Sequence, residues 1–263
     1  MNMMYFKLTC LCLLLCFVGT ACRTVPVSSR KQLLLSSENH ENELGATAYA
    51  EYKKEYPRST NKTYTESLNR VGEAIRKVAQ KDDYQWEFVV LESKDANAFC
   101  LPGGKVAVYS GIFQFTANEA ELATVVAHEI AHALARHGGE RMSWAQLQQL
   151  GTLGLRSAGA GATWETIYGL GSEFGVMLPF SRKHENEADS IGLILLARAG
   201  FQPAAAISFW KKFGAGKSPS IIEKWASTHP GGEERVANLQ QLLPQALQEY
   251  EKAPQKIGLG KSF

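Results

Sequence analysis

A chain of 263 residues that is 45% hydrophobic and 21% charged is long enough to bury one sizeable core and too apolar for disorder to dominate. Its formal charge is +2 and no Lys/Arg cluster is interleaved with aromatics. That balance excludes the electrostatic footprint of nucleic-acid binding.

In chain order, residues 1–21 read as an export signal. Lys7 precedes an apolar run from Leu8 to Val18, too short to span a bilayer, and the small residues Gly19, Thr20 and Ala21 precede Cys22. A cysteine directly after small residues resembles the lipobox of bacterial lipoproteins, apart from Gly19 standing where leucine is usual. It implies that Cys22 is acylated and anchors the mature chain to a membrane; plain cleavage after Ala21 is the alternative. Cys10, Cys12 and Cys16 leave with the signal, so only Cys22 and Cys100 remain and no disulfide framework is expected. Cys100 reads as a small buried hydrophobe.

Residues 22–37, with Pro26 and several serines, suit a tether; 38–250 form the domain; 251–263 form a flexible tail. Apolar spacing predicts a helix from Ser37 to Tyr56, stopped at Pro57, and a second from Tyr64 to Gln80 carrying Leu68, Val71 and Ile75. Trp86 to Leu91 reads as a strand. Ala98 to Leu101 and Lys105 to Tyr109 read as a hairpin around Pro102-Gly103-Gly104, either a peptide-binding edge or a purely structural one.

A helix from Thr116 to Arg136, with a capping box of Thr116 and Glu119, carries His128-Glu129-Ile130-Ala131-His132. Histidines four apart lie about 40° apart and roughly 6 Å along the axis, so both reach one metal. Glu129 projects from the neighbouring edge, where a carboxylate serves as general base toward water at the metal. Glycines interrupt the periodicity over 138–180, which suits a lid or a membrane-touching segment, the lid being preferred. Helices are then predicted at Arg182–Ala199, Pro203–Phe213, Glu223–Ser227 and Gly232–Tyr250, the last kinked or broken at Pro244.

A catalytic zinc site needs three protein ligands. On a continuous helix His137 lies about 180° from His128 and points away. Glu185 and Asp189 share a helix face, which lets Glu185 ligate and Asp189 bond the free nitrogen of a ligand histidine. Glu187 reads as a solvated charge, although spacing does not forbid it Glu185's place.

The chain resembles metallopeptidase family M48, the gluzincin family of HtpX-like proteases, CAAX prenyl endopeptidases and exported lipoprotein proteases. The resemblance rests on Asn97-Ala98-Phe99, Gly103-Gly104-Lys105-Val106, Glu121-Leu122-Ala123, the His128 to His132 motif, Ser181-Arg182, Glu185-Asn186-Glu187-Ala188-Asp189, and Thr228-His229-Pro230 with Arg235. It implies a zincin-like α+β fold, mainly helical with a small sheet, and one zinc ion on His128, His132 and Glu185. It further implies Glu129 as base, Asp189 in support, His229 as oxyanion stabiliser, Asn97 as a holder of substrate backbone, and a structural Arg235 paired with Asp189. No apolar run of 18 or more residues follows the signal, so the lipid-anchored branch fits better than the integral-membrane ones. The implied activity is endopeptidase action on envelope proteins, in quality control, facing the periplasm from a membrane, the outer one by analogy. A chaperone-like zinc module that binds peptides with little turnover is one alternative; a structural zinc domain, with His184 or His229 as fourth ligand, is another.

Overall fold

In a computed structural model of the chain the described residues are 22–25, 28–157, 181–214, 225, 227–229 and 233–263. The export signal, the segment 158–180 within the expected lid, and most of the helix expected at Glu223–Ser227 lie outside them.

The first long helix, α1 (Glu38–Glu55), starts where the Ser37 side chain accepts from His40 N and stops at the extended Tyr56 ahead of Pro57. Next, α2 (Lys62–Val78) is capped by Asn61 and buries Leu68, Val71 and Ile75 at helical spacing. Strands β3 (Glu87–Leu91), β4 (Ala98–Leu101) and β5 (Lys105–Tyr109) form a sheet in the order β3-β5-β4. The expected hairpin is present, with Cys100 opposite Val106 and with Gly103 and Gly104 both at φ near +80° in the loop. Sequence did not foretell that β3 pairs parallel to β5, Phe88 against Val106. β5 is thereby the centre and all five of its residues are buried. β4 is left with one edge outside the sheet.

A short 3₁₀ turn leads into α3 (Glu119–Leu134). Its cap is Asn118 rather than Thr116: the Asn118 side chain accepts from Glu121 N, and Glu121 accepts in return from Ala117 N. Every residue of α3 except Leu134 is buried, because α2, β4, α5 (Arg182–Arg198) and α6 (Ala204–Gly214) surround it. α5 begins at Ser181, whose side chain accepts from His184 N, and ends before Gly200 at φ +86°. It lies close on α3 at Gly192, where a Cβ would stand 3.1 Å from the His128 backbone. α4 (His137–Ser157) continues through Gly151 and Gly154, glycines that interrupt the apolar periodicity.

Three expectations need correction. α7 (Glu233–Lys252) is not broken at Pro244; it runs through the proline, with Leu239 before it and Ala246 after it both buried in the core. The tail is docked rather than frayed. Glu119 N and Ala120 N, donors that the first turn of α3 cannot satisfy itself, donate to Lys261 O and Leu259 O, and Phe263 packs on Phe113.

The tether is docked too. Residues 22–24 (β1) and 31–33 (β2) pair antiparallel, and Val25 and Leu34 are buried. Arg30 pairs with Glu140 and Glu187, which supplies a polar anchor where composition alone suggested a spacer.

Candidate metal centre

His128 and His132 present their Nε2 atoms 3.1 Å apart in the buried middle of the molecule. The first turn of α5 supplies Glu185, which is 0% exposed, with Oε2 3.4 Å from His128 Nε2 and Oε1 3.4 Å from His132 Nε2. His229 Nδ1 stands 3.1 Å from Glu185 Oε1. The donor atoms of these four residues all lie within 4.8 Å of one another.

These distances fit a tetrahedral ion. Bonds of about 2.0–2.1 Å to nitrogen and oxygen put the donors of such an ion roughly 3.3 Å apart. Glu129 Oε1 is buried with no hydrogen-bond partner among the described residues, and a buried carboxylate oxygen requires compensation; Glu185 Oε2 is offset by Arg235 Nη1 at 3.1 Å. The local field also favours added positive charge. Burial and Arg235 oppose protonation of His128, yet Asp189 and Glu185 outweigh them and lift it to about 9. Burial likewise opposes the charge on Glu185, but bonds to His128, His132 and His229 hold its carboxyl well below the usual carboxylate range. Burial keeps the other two imidazoles neutral, His132 well below its ordinary value and His229 down at about 4.

Each α3 histidine has its far nitrogen engaged. His128 Nδ1 lies 3.1 Å from Asp189 Oδ1, and Arg235 grips Asp189 with bonds of 2.8 and 2.7 Å while lying over the Trp210 ring. His132 Nδ1 meets His137 Nδ1 at 2.9 Å, and His137 Nε2 meets Glu187 Oε2 at 2.9 Å. His137 therefore does not point away. The helix does not continue through it: Arg136 has φ +52° and is clamped by Glu41 and Ser36 O, so the chain turns and brings His137 back. Glu187 is 7% exposed and paired, not solvated. His184 faces Glu140 at 3.1 Å and stands outside the donor group.

Glu129 is buried at the wall of a cleft, with Oε1 3.5 Å from His229 Nε2. Burial lifts its carboxyl to about 8 against the lowering effect of His128. The β4 strand lines the same cleft with Phe99 and Leu101, Asn97 lines it just before the strand, and Tyr52, Arg141 and His132 line it too. Asn97 Oδ1 is buried with no hydrogen-bond partner. Cys100 is half-buried on this wall rather than sealed in the core. Spacing pointed to His128, His132, Glu129 and Asp189 and left Glu185 and Glu187 open, and the family resemblance pointed to Glu185 and His229; neither pointed to the parts played by His137, Glu187, Arg30 and the paired Glu140. The presence of His137 five residues after His132 was the available signal, concealed by the turn at Arg136.

The profile of Peptidase family M48 matches residues 62–243, which include all four donors. Mitochondrial metalloendopeptidase OMA1 of Schizosaccharomyces pombe is 36% identical over 226 residues, covering 84% of this chain and 66% of that protein. Metalloendopeptidase OMA1 of Homo sapiens is 30% identical over 253 residues, 88% of this chain and 48% of its own. The beta-barrel assembly-enhancing protease of Escherichia coli K12 is 32% identical over 205 residues, 71% of this chain and 41% of its own. The chain thus spans at most two thirds of the length of these curated relatives.

Proposed function

Because the chain belongs to peptidase family M48, we propose that it is a zinc-dependent metalloendopeptidase whose ligands are His128, His132 and Glu185. The observation that carries this is the buried donor group with the unpartnered carboxylate oxygen of Glu129 beside it, on one wall of a cleft bordered by a strand edge. A zinc ion held there supplies Lewis-acid activation of water and of the peptide carbonyl.

The chain's own side chains do the rest. The outer edge of β4 takes an extended peptide by backbone pairing, and Asn97 holds its backbone with the side-chain Oδ1 that lacks a partner. Glu129 accepts a proton from the attacking water and returns it to the leaving amine. His229 would donate to the carbonyl oxygen from Nε2 as negative charge gathers there, a role that requires a proton on Nε2 beside the one its Nδ1 gives to Glu185 Oε1. Asp189 and Arg235 keep His128 oriented.

Purified protein is expected to hold about one zinc per chain and to cleave casein; chelation abolishes cleavage and added zinc restores it. Cleavage that survives thorough chelation sinks the proposal.

The cellular setting is also proposed. Export by residues 1–21, acylation of Cys22 and a periplasm-facing, outer-membrane position suit substrates among envelope proteins under quality control, and a relative named for β-barrel assembly supports that substrate class. None of the helices among the described residues is long and apolar enough to cross a membrane. Mass spectrometry of the mature N-terminus is expected to find Cys22 carrying acyl chains; a free, unmodified Cys22 there rules the anchor out.

A further inference from the structure

The buried His137 and Glu187 and the half-buried Arg30, which the proposed chemistry does not use, form a continuous chain onto His132. His137 is 0% exposed and spends both nitrogens, one on His132 Nδ1 and one on Glu187 Oε2. Glu187 accepts from Arg30 Nε at 3.0 Å and Nη2 at 2.9 Å, and from the Ser28 hydroxyl. The same guanidinium donates to both oxygens of Glu140, at 2.8 and 2.6 Å, and Glu140 in turn meets His184, whose ring stacks on His137. Arg30 and Ser28 belong to the docked N-terminal segment, well before the residues matched by the family profile.

The proton positions along this chain are fixed by one another. When His132 offers Nε2 to a metal, its remaining proton is on Nδ1 and must find an acceptor. The acceptor is His137 Nδ1, which leaves the His137 proton on Nε2, aimed at Glu187. Glu187 must then stay anionic, and Arg30 supplies the countercharge by a two-pronged contact. His128 achieves the same end with Asp189 and Arg235 directly. Thus each histidine ends on an acid and an arginine, and only the set behind His132 draws its arginine from the N-terminal segment.

We propose that His137, Glu187 and Arg30 are positioning residues for the metal centre, and that docking of residues 28–35 tightens zinc binding by locking His132 through this relay. This rests on the zinc reading of the centre given above. It makes residues 28–35, a strap a few positions after Cys22, a working part of the site: moving them off the domain frees Glu187, then His137, then His132.

The test uses the full-length protein, with zinc affinity measured by competition against a chromogenic chelator and the site geometry by visible absorption of the cobalt form. His137→Phe keeps a ring but loses both bonds. It is expected to weaken zinc binding about 10- to 100-fold and to shift the cobalt bands. Glu187→Gln should fall in the same direction, and Arg30→Ala should weaken binding about 3- to 10-fold with part recovered in Arg30→Lys. Circular dichroism of each variant reports folding. If His137→Phe does not fold, Glu187→Gln and Arg30→Ala decide by the same measure. Zinc affinities within twofold of the native protein and unchanged cobalt bands in the folded variants overturn the relay. An unchanged Arg30→Ala beside a weakened Glu187→Gln overturns the part assigned to the strap. A native protein that binds neither metal overturns the zinc reading itself, an outcome visible before any variant is compared.

Discussion

Replacing Glu129 by glutamine is expected to lower kcat for casein cleavage by about 100- to 10,000-fold while zinc content stays at the native level. Glu129 sits on α3 between the two histidines, yet its carboxylate belongs to the cleft wall, where Oε1 stands 3.5 Å from His229 Nε2 and has no hydrogen-bond partner among the described residues. Glutamine keeps the size and one carbonyl oxygen, so packing and the donors survive. What is lost is the ability to take a proton from water and hand it on. The same variant separates the peptidase from a peptide-binding module. A binder needs no base in this place, so Glu129→Gln leaves a binder's affinity for casein untouched and has no turnover to remove. The measurement is casein digestion by the native and variant proteins, with equilibrium binding of the same substrate and metal analysis alongside. Equal digestion rates in the two proteins end the case for Glu129 as base.

How far the sequence went depended on whether a feature is local. Helix starts and stops at Ser37, Ser181 and Gly200 were legible because caps and left-handed glycines act within a few residues. His128 and His132 were legible because helical spacing puts them on one face without knowledge of the fold, and so was the shared face of Glu185 and Asp189, though choosing Glu185 over Glu187 took the family resemblance. The parallel pairing of β3 with β5 was not, since nothing local selects a partner strand. Glu187 looked like a solvated charge because its partner Arg30 is 157 positions away and lies in a stretch whose composition suits a spacer. The tail was misread for a related reason: its glycines and proline mark irregular backbone, and irregular backbone still satisfies the open donors of α3 when it is laid across Glu119 and Ala120. His137 was misplaced by extending one helix through Arg136, whose positive φ is set by the Glu41 clamp and is invisible in the local pattern.

The fourth donor decides what kind of centre this is, and a pair of variants answers it. Glu185→Ala is expected to lose zinc altogether, whereas His229→Ala keeps zinc and cleaves casein about 100- to 1,000-fold more slowly. Glu185 stands at 3.4 Å from both α3 histidines and brings the one negative charge among the four donors. Without it Arg235, whose Nη1 is 3.1 Å from Glu185 Oε2, is left beside two imidazoles with Asp189 alone to offset it. Such a pocket repels a divalent cation. His229 is placed differently: its Nδ1 is turned to Glu185 Oε1, its Nε2 faces Glu129, and its ring stacks on Trp225. An imidazole so turned toward the base and the cleft suits a donor to the substrate oxygen, which leaves three protein ligands and one open position. Removing Glu185 also uncovers buried charge, so Glu185→Gln, which keeps the shape, runs beside it to show that metal loss is not unfolding. If His229→Ala sheds zinc as completely as Glu185→Ala, all four protein donors hold the metal and no position stays open for water. A centre closed in that way is structural, and the peptidase proposal falls with it.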